Sequence, residues 1–116
     1  MLRLKSPTDF ERVRRGGQSH AHPLAVLIAC RQAAGQAEPG PSRWGFAAGR
    51  SVGTAVARNR AKRLLREAAR ARADATAPGW DLILIARPPL AEATLPAASD
   101  AVVALLKRAQ VLKNDA

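Results

Sequence analysis

From position 57 to 70 the chain reads Ala57-Arg58-Asn59-Arg60-Ala61-Lys62-Arg63-Leu64-Leu65-Arg66-Glu67-Ala68-Ala69-Arg70. On a helix turning about 100° per residue, Arg58, Lys62, Arg66, Asn59, Arg70 and Arg63 fall within one arc of about 140°. Ala57, Ala61, Leu64, Leu65 and Ala68 share the opposite face. Seven basic residues stand between Arg58 and Arg72 against one acid, Glu67, so pairing along the helix neutralises at most one of them. Such an arc repels itself until a polyanion lies against it, and the planar fork of arginine suits phosphate oxygens. Arg60 lies off the arc, where a place beside a sheet competes with ligand contact. Other chemistry is thin. His20 and His22 have a chelating i,i+2 spacing but no Cys or acid beside them. Cys30 has no partner base and reads as a small core residue on a strand. No Ser-His-Asp order, paired carboxylates or Gly-rich phosphate loop is present, so no catalytic residue and no metal ligand is assigned.

Composition points to a polyanionic partner, with nucleic acid, an anionic membrane and an acidic protein as the candidates. The chain has 116 residues, 19 Lys+Arg against 9 Asp+Glu, and a net charge of +10. Fifteen of the 19 are arginine, although 26 alanines beside them also fit a GC-rich genome. Aromatics make up 3%, with no tyrosine, so base stacking has little to work with. One cysteine excludes an internal disulfide and any multi-cysteine zinc site. The N-terminus lacks the apolar run of about 7–15 residues of a secretory signal, and no stretch approaches the ~20 apolar residues of a membrane span. A single cytoplasmic domain over 1–116 is expected, with a loop at about 32–42 and a loose tail at about 113–116.

The elements that must position the arc follow from patterning. Ser6-Pro7-Thr8-Asp9 opens a helix, with Ser6 as cap, Pro7 in the first turn and Asp9 completing a capping box. Gly16-Gly17 ends it as a left-handed terminator. A short edge strand from Gln18, a break at Pro23 and a buried strand through Leu24–Ala29 follow. Arg43–Ala48 is a third strand, and Gly49–Gly53 turns the chain. The basic helix spans about Thr54–Ala75 and stops before Pro78-Gly79. Trp80–Ala86 is a buried strand halted by Pro88-Pro89, and a last helix begins near Pro96 or Ser99. The order is α-β-β-β-α-β-α, an α+β sandwich with one four-stranded sheet.

With these residues in place, Gly53-Thr54-Ala55-Val56-Ala57-Arg58-Asn59-Arg60-Ala61-Lys62-Arg63-Leu64-Leu65-Arg66-Glu67 resembles the "RNR" signature of the bacterial ribonuclease P protein subunit. Asp9-Phe10-Glu11-Arg12-Val13 with Gly16 is similar to the family's first helix, Arg43-Trp44-Gly45-Phe46 to its third strand, and Asp81–Arg87 to the strand after the signature. The resemblance runs from Leu4 to about Leu112.

It implies a left-handed β-α-β crossover around the signature helix, against the usual right-handed rule, in the fold of ribosomal protein S5 domain 2. It also implies a subunit that binds a catalytic RNA. The holoenzyme removes the 5′ leader of precursor tRNA, with the chemistry carried by RNA and its Mg²⁺, and neither a membrane nor another protein partner is required. Arg58, Asn59, Arg60, Lys62, Arg63, Arg66 and Arg70 are then implied to bind the catalytic RNA. Phe10, Arg14, Arg50 and Arg87 are implied to lie along the leader, Phe10 by stacking on a base or else by anchoring its helix. The chain departs from the family where Gly49-Arg50-Ser51 replaces a Ser-Lys-Lys-like turn. Arg14 stands where a second aromatic is usual, and the strand Leu24–Ala29 lacks an aromatic. A general RNA-binding or ribosomal-type protein of the same fold is the alternative. A membrane-surface helix is excluded because the apolar face is mostly alanine.

Overall fold

The computed structural model describes residues 1–32 and 40–113; most of the expected loop at 32–42 and the tail at 114–116 lie outside them. The elements are β1 (Leu2–Arg3), α1 (Pro7–Gly16), β2 (Gln18–Ala21), β3 (Ala25–Arg31), β4 (Arg43–Ala48), α2 (Ala55–Arg70), β5 (Trp80–Ala86) and α3 (Leu95–Ala109). Short 3₁₀ turns at Arg50–Val52, Ala73–Ala75 and Pro88–Glu92 link them. The sheet has five strands, in the order β1-β4-β5-β3-β2, so the expectation of four is corrected. The fifth is β1, paired parallel to β4 through Leu2↔Arg43 and Arg3↔Trp44, with the Leu4 N–H donating to the Trp44 carbonyl at 2.8 Å. Two residues carry no alternation to read. The open edge of β4 makes them a strand.

The neighbours β4 and β5 run parallel, joined by α2, while β2, β3 and β5 are antiparallel in sequence along the sheet. Leu82, Leu84 and Ala86 of β5 face the main core, where Leu27, Trp44 and Phe46 meet Leu64, Leu65 and Ala68 of α2 and Val102, Leu105 and Leu106 of α3. Ile83 and Ile85 face the other way, into a smaller cluster with Leu4, Phe10, Val13, Val26 and Ile28. Helix α1 therefore covers one face of the sheet, and α2 with α3 the other.

Two helix ends differ from expectation. Gly17 ends α1 at φ −86°, ψ 165°, in extended rather than left-handed backbone. Glycine is needed there for space, since a Cβ would lie 2.6 Å from the Val13 carbonyl oxygen and 2.7 Å from Ile28 Cγ2. Helix α2 stops at Arg70 rather than Ala75. Beyond it the Thr76 hydroxyl donates to the Arg72 carbonyl, the Ala77 N–H to the Val111 carbonyl and the Lys113 N–H to the Ala75 carbonyl. These bonds draw the chain off the helix axis despite its alanine-rich sequence. Helix α3 starts at Leu95, one residue ahead of Pro96, with Thr94 as its cap.

Candidate nucleic-acid interface

Helix α2 begins where Gly53, at φ 134°, turns the chain and the Thr54 side chain accepts from the Ala57 N–H at 3.2 Å. Its buried stripe is Ala61, Leu64, Leu65, Ala68 and Ala69. On the far side Asn59, Arg63 and Arg70 are exposed, and Arg58, Lys62 and Arg66 are half-buried. Half-burial means that these long side chains lie partly along the protein. None of these cations forms an ion pair among the described residues, and Glu67 neutralises none. The Arg58 Nε is buried without a hydrogen-bond partner among them. Arg60 is placed differently. Its two Nη atoms donate to the carbonyls of Ala91 and Ala93, the latter at 3.0 Å, so it braces the segment between β5 and α3.

On the opposite face, Ser6 caps α1 by accepting from the Thr8 N–H at 3.2 Å. Asp9 does not complete a capping box. Its carboxylate accepts from Arg12 at 3.5 Å and Arg43 at 3.4 Å. Both arginines also hold Asp81, which is fully buried: Arg43 meets it with two bonds of 2.9 and 2.8 Å, and Arg12 Nη2 donates to the same Oδ2. Burial pushes the Asp81 carboxyl upward, yet the bonds and charges of Arg43 and Arg12 prevail and hold it below the usual carboxylate range. The two guanidiniums are raised above their ordinary value, chiefly by the same bonds. This four-residue ionic knot ties α1 to β4 and β5. It was not read from the sequence, where the signal was a lone acid inside the apolar run of β5.

Phe10 is half-buried and packs against the cluster of Leu4, Val13, Ile28 and Ile83. Its ring lies on the backbone of Gly45, where a Cβ would come within 2.5 Å of Phe10 Cζ. Glycine in β4 thus seats the aromatic. Arg14 on α1, Arg50 before α2 and Arg87 after β5 are all exposed. Arg87 Nη1 donates to the His22 carbonyl at 3.3 Å. No hydrogen bond joins Arg14, Arg50, Arg87 and Phe10 to one another among the described residues. His22 Nδ1 accepts from the Leu24 N–H at 3.0 Å, so that nitrogen is committed to its own turn. Cys30 is half-buried, with its Sγ 3.7 Å from Arg12 Nη1.

A family model described as Ribonuclease P matches residues 1–110. The chain belongs to the ribonuclease P protein family. It is 44% identical over 109 residues to a ribonuclease P protein component of Herpetosiphon aurantiacus, covering 94% of this chain and 85% of that one. A second, from Symbiobacterium thermophilum, is 41% identical, with 97% and 95% covered. The ribonuclease P protein of Staphylococcus aureus superposes with a TM-score of 0.81 at 28% identity, over 97% of this chain and 99% of that one. That of Thermotoga maritima gives 0.76 at 27%, with 93% and 97% covered. Members of the ribonuclease P family are the protein component of an endoribonuclease in which RNA performs the catalysis, and RNA binding and precursor-tRNA processing are consistent with that membership.

Proposed function

We propose that the chain serves ribonuclease P through two surfaces on opposite faces of its sheet. The cationic arc of α2, formed by Arg58, Asn59, Lys62, Arg63, Arg66 and Arg70, holds the catalytic RNA. Arg60 supports it from below by fixing the turn against which α2 packs. Phe10 on the α1 face offers a partly open ring to one leader base, and Arg14 on α1, Arg50 in the turn before α2 and Arg87 after β5 attract the phosphates of the precursor tRNA. The observation that carries this reading is the charge of α2, unpaired among the described residues, on a helix rooted in the main core. Bringing phosphate to it releases condensed cations, a large favourable term at low salt.

Magnesium belongs to the RNA in this reading. Among the described residues no three His, Cys, Asp or Glu side chains converge on a point that could hold a metal. The acid best placed by the sheet, Asp81, is already committed to two arginines. These residues do not fit a protein-held ion, and the chain's contribution to Mg²⁺ is through bringing RNA strands together. Among the described residues no helix is long and apolar enough to cross a membrane. We assign the work to the cytoplasm, with no membrane and no further protein partner needed. A left-handed β4-α2-β5 crossover and likeness to ribosomal protein S5 domain 2 belong to the same proposal.

Reconstitution tests it. Added to a bacterial ribonuclease P RNA at low Mg²⁺, the chain should restore cleavage of precursor tRNA at the mature 5′ end. Binding of that RNA without any gain in cleavage would leave a general RNA-binding protein.

A further inference from the structure

At the end of the sheet opposite Arg87, a pocket of about 330 Å³ opens between the last residues of α1 and α3. Gln18, His20, Cys30, Arg31, Trp80 and Ala109 line it, and no acid does among the described residues. Trp80 and Arg31 are direct cross-strand partners of β5 and β3, and the Arg31 guanidinium carbon sits 4.6 Å from the Trp80 ring centroid. Trp80 packs against the main core and is only half-buried, whereas Arg31 is exposed and forms no ion pair among the described residues.

We propose that this pocket receives one unstacked nucleotide of the catalytic RNA, with its base on the guanidinium of Arg31. The inference rests on RNA being the partner. An arginine held against a tryptophan has already lost much of its side-chain freedom, so less remains to be lost on binding. Its outer face is a plane on which a base stacks, and its N–H edge reaches a phosphate. The Gln18 amide and the His20 imidazole supply donors and acceptors for a base edge. Elimination points the same way. Of the four aromatics, Trp44 and Phe46 are buried and Phe10 belongs to the α1 face. Trp80 is the remaining ring with open surface. Seven residue steps of extended chain lead from it to Arg87, about 23 Å, which sets the pocket well away from the Arg87 end of the leader surface. Folded RNAs display splayed bases in loops and bulges, and the catalytic RNA is the partner that stays bound.

The test is equilibrium binding of the full chain to a bacterial ribonuclease P RNA over a range of salt, with Lys62→Ala as the control for the α2 arc. Arg31→Ala should weaken binding about 5- to 150-fold, the loss of one base stack, with an unchanged melting temperature. The loss should persist at high salt, and Arg31→Lys should recover little of it. Acrylamide quenching of the wild-type chain gives a second readout, because Trp44 is shielded and Trp80 is not. Adding the RNA should protect Trp80. Wild-type affinity in Arg31→Ala while Lys62→Ala binds weakly would overturn the pocket and spare the arc. Full rescue by Arg31→Lys, with a loss that fades in high salt, would reduce the site to a phosphate contact and also overturn it. So would undiminished quenching, or a loss confined to precursor tRNA. If neither Arg31→Ala nor Lys62→Ala weakens binding, the RNA-holding role itself falls.

Discussion

Replacing Asp81 by Asn asks how firmly α1 is tied to the sheet. The carboxylate is fully buried and takes three bonds from Arg43 and Arg12, while those arginine side chains remain 35% and 31% exposed. An asparagine keeps one acceptor and points its NH₂ at guanidinium donors. Removing one partner of a buried pair costs about 3–5 kcal/mol. Here the arginines can turn partly to water, so about 2–3 kcal/mol is expected. For a chain of this size that is a fall of about 8–12 °C in Tm. The pH dependence isolates the cause. Because the folded Asp81 carboxyl is held below its unfolded value, its stabilisation is complete above the usual carboxylate range. It is lost as pH falls from that range through the folded value. The wild-type minus Asp81→Asn difference, read from thermal melts by circular dichroism, should be flat above about pH 5 and shrink below about pH 4. A difference that is absent at pH 7, or constant down to pH 2, would refute the ionic account.

Four further outcomes are expected. The logarithm of the affinity for catalytic RNA should fall by about 3 to 5 per decade of monovalent salt, as four to six phosphate contacts require; filter binding at several salt concentrations measures it. Lys62→Ala and Arg66→Ala should weaken that binding with stability unchanged within about 0.5 kcal/mol, whereas Arg60→Ala, which strands the Ala91 and Ala93 carbonyls, should lower Tm. Phe10→Ala should weaken precursor tRNA by about 5- to 150-fold relative to mature tRNA if the ring stacks on a base, and equal losses for both, or a collapse in Tm, would make it an anchor. Gly17→Ala should destabilise by about 1–3 kcal/mol through overpacking against Val13 and Ile28, measured by denaturant unfolding.

Much of this molecule is legible in its sequence because local patterning and tertiary demand coincide. The β-strands at Arg43–Ala48 and Trp80–Ala86 fall where the sequence places them, the second halted by Pro88-Pro89, and the arc of α2 follows from helical period alone. Legibility fails where a distant partner decides. Strand β1 exists only against β4, and α2 is shortened by the segment around Val111. The sequence placed Arg60 off the arc, and the structure shows what it holds there. The knot of Asp9, Arg12, Arg43 and Asp81 joins residues up to 72 positions apart, and no spacing rule reaches that far. Of the residues inferred to follow the leader, only Phe10 has a position that sequence and structure together explain, through Gly45.

The unequal covering of the two sheet faces has a consequence for motion. Helix α2 is embedded in a cluster shared by β3, β4, β5 and α3, so opening it means unfolding the domain. Helix α1 rests on a handful of aliphatic side chains and one ionic knot, and it can detach at a fraction of that free energy. Amides of α1 should accordingly exchange with deuterium well before those of α2. On the proposed assignment of the two faces, such a subunit would keep its grip on the catalytic RNA fixed while the α1 wall yields and recloses, and leaders of differing sequence would meet a surface able to adjust to them.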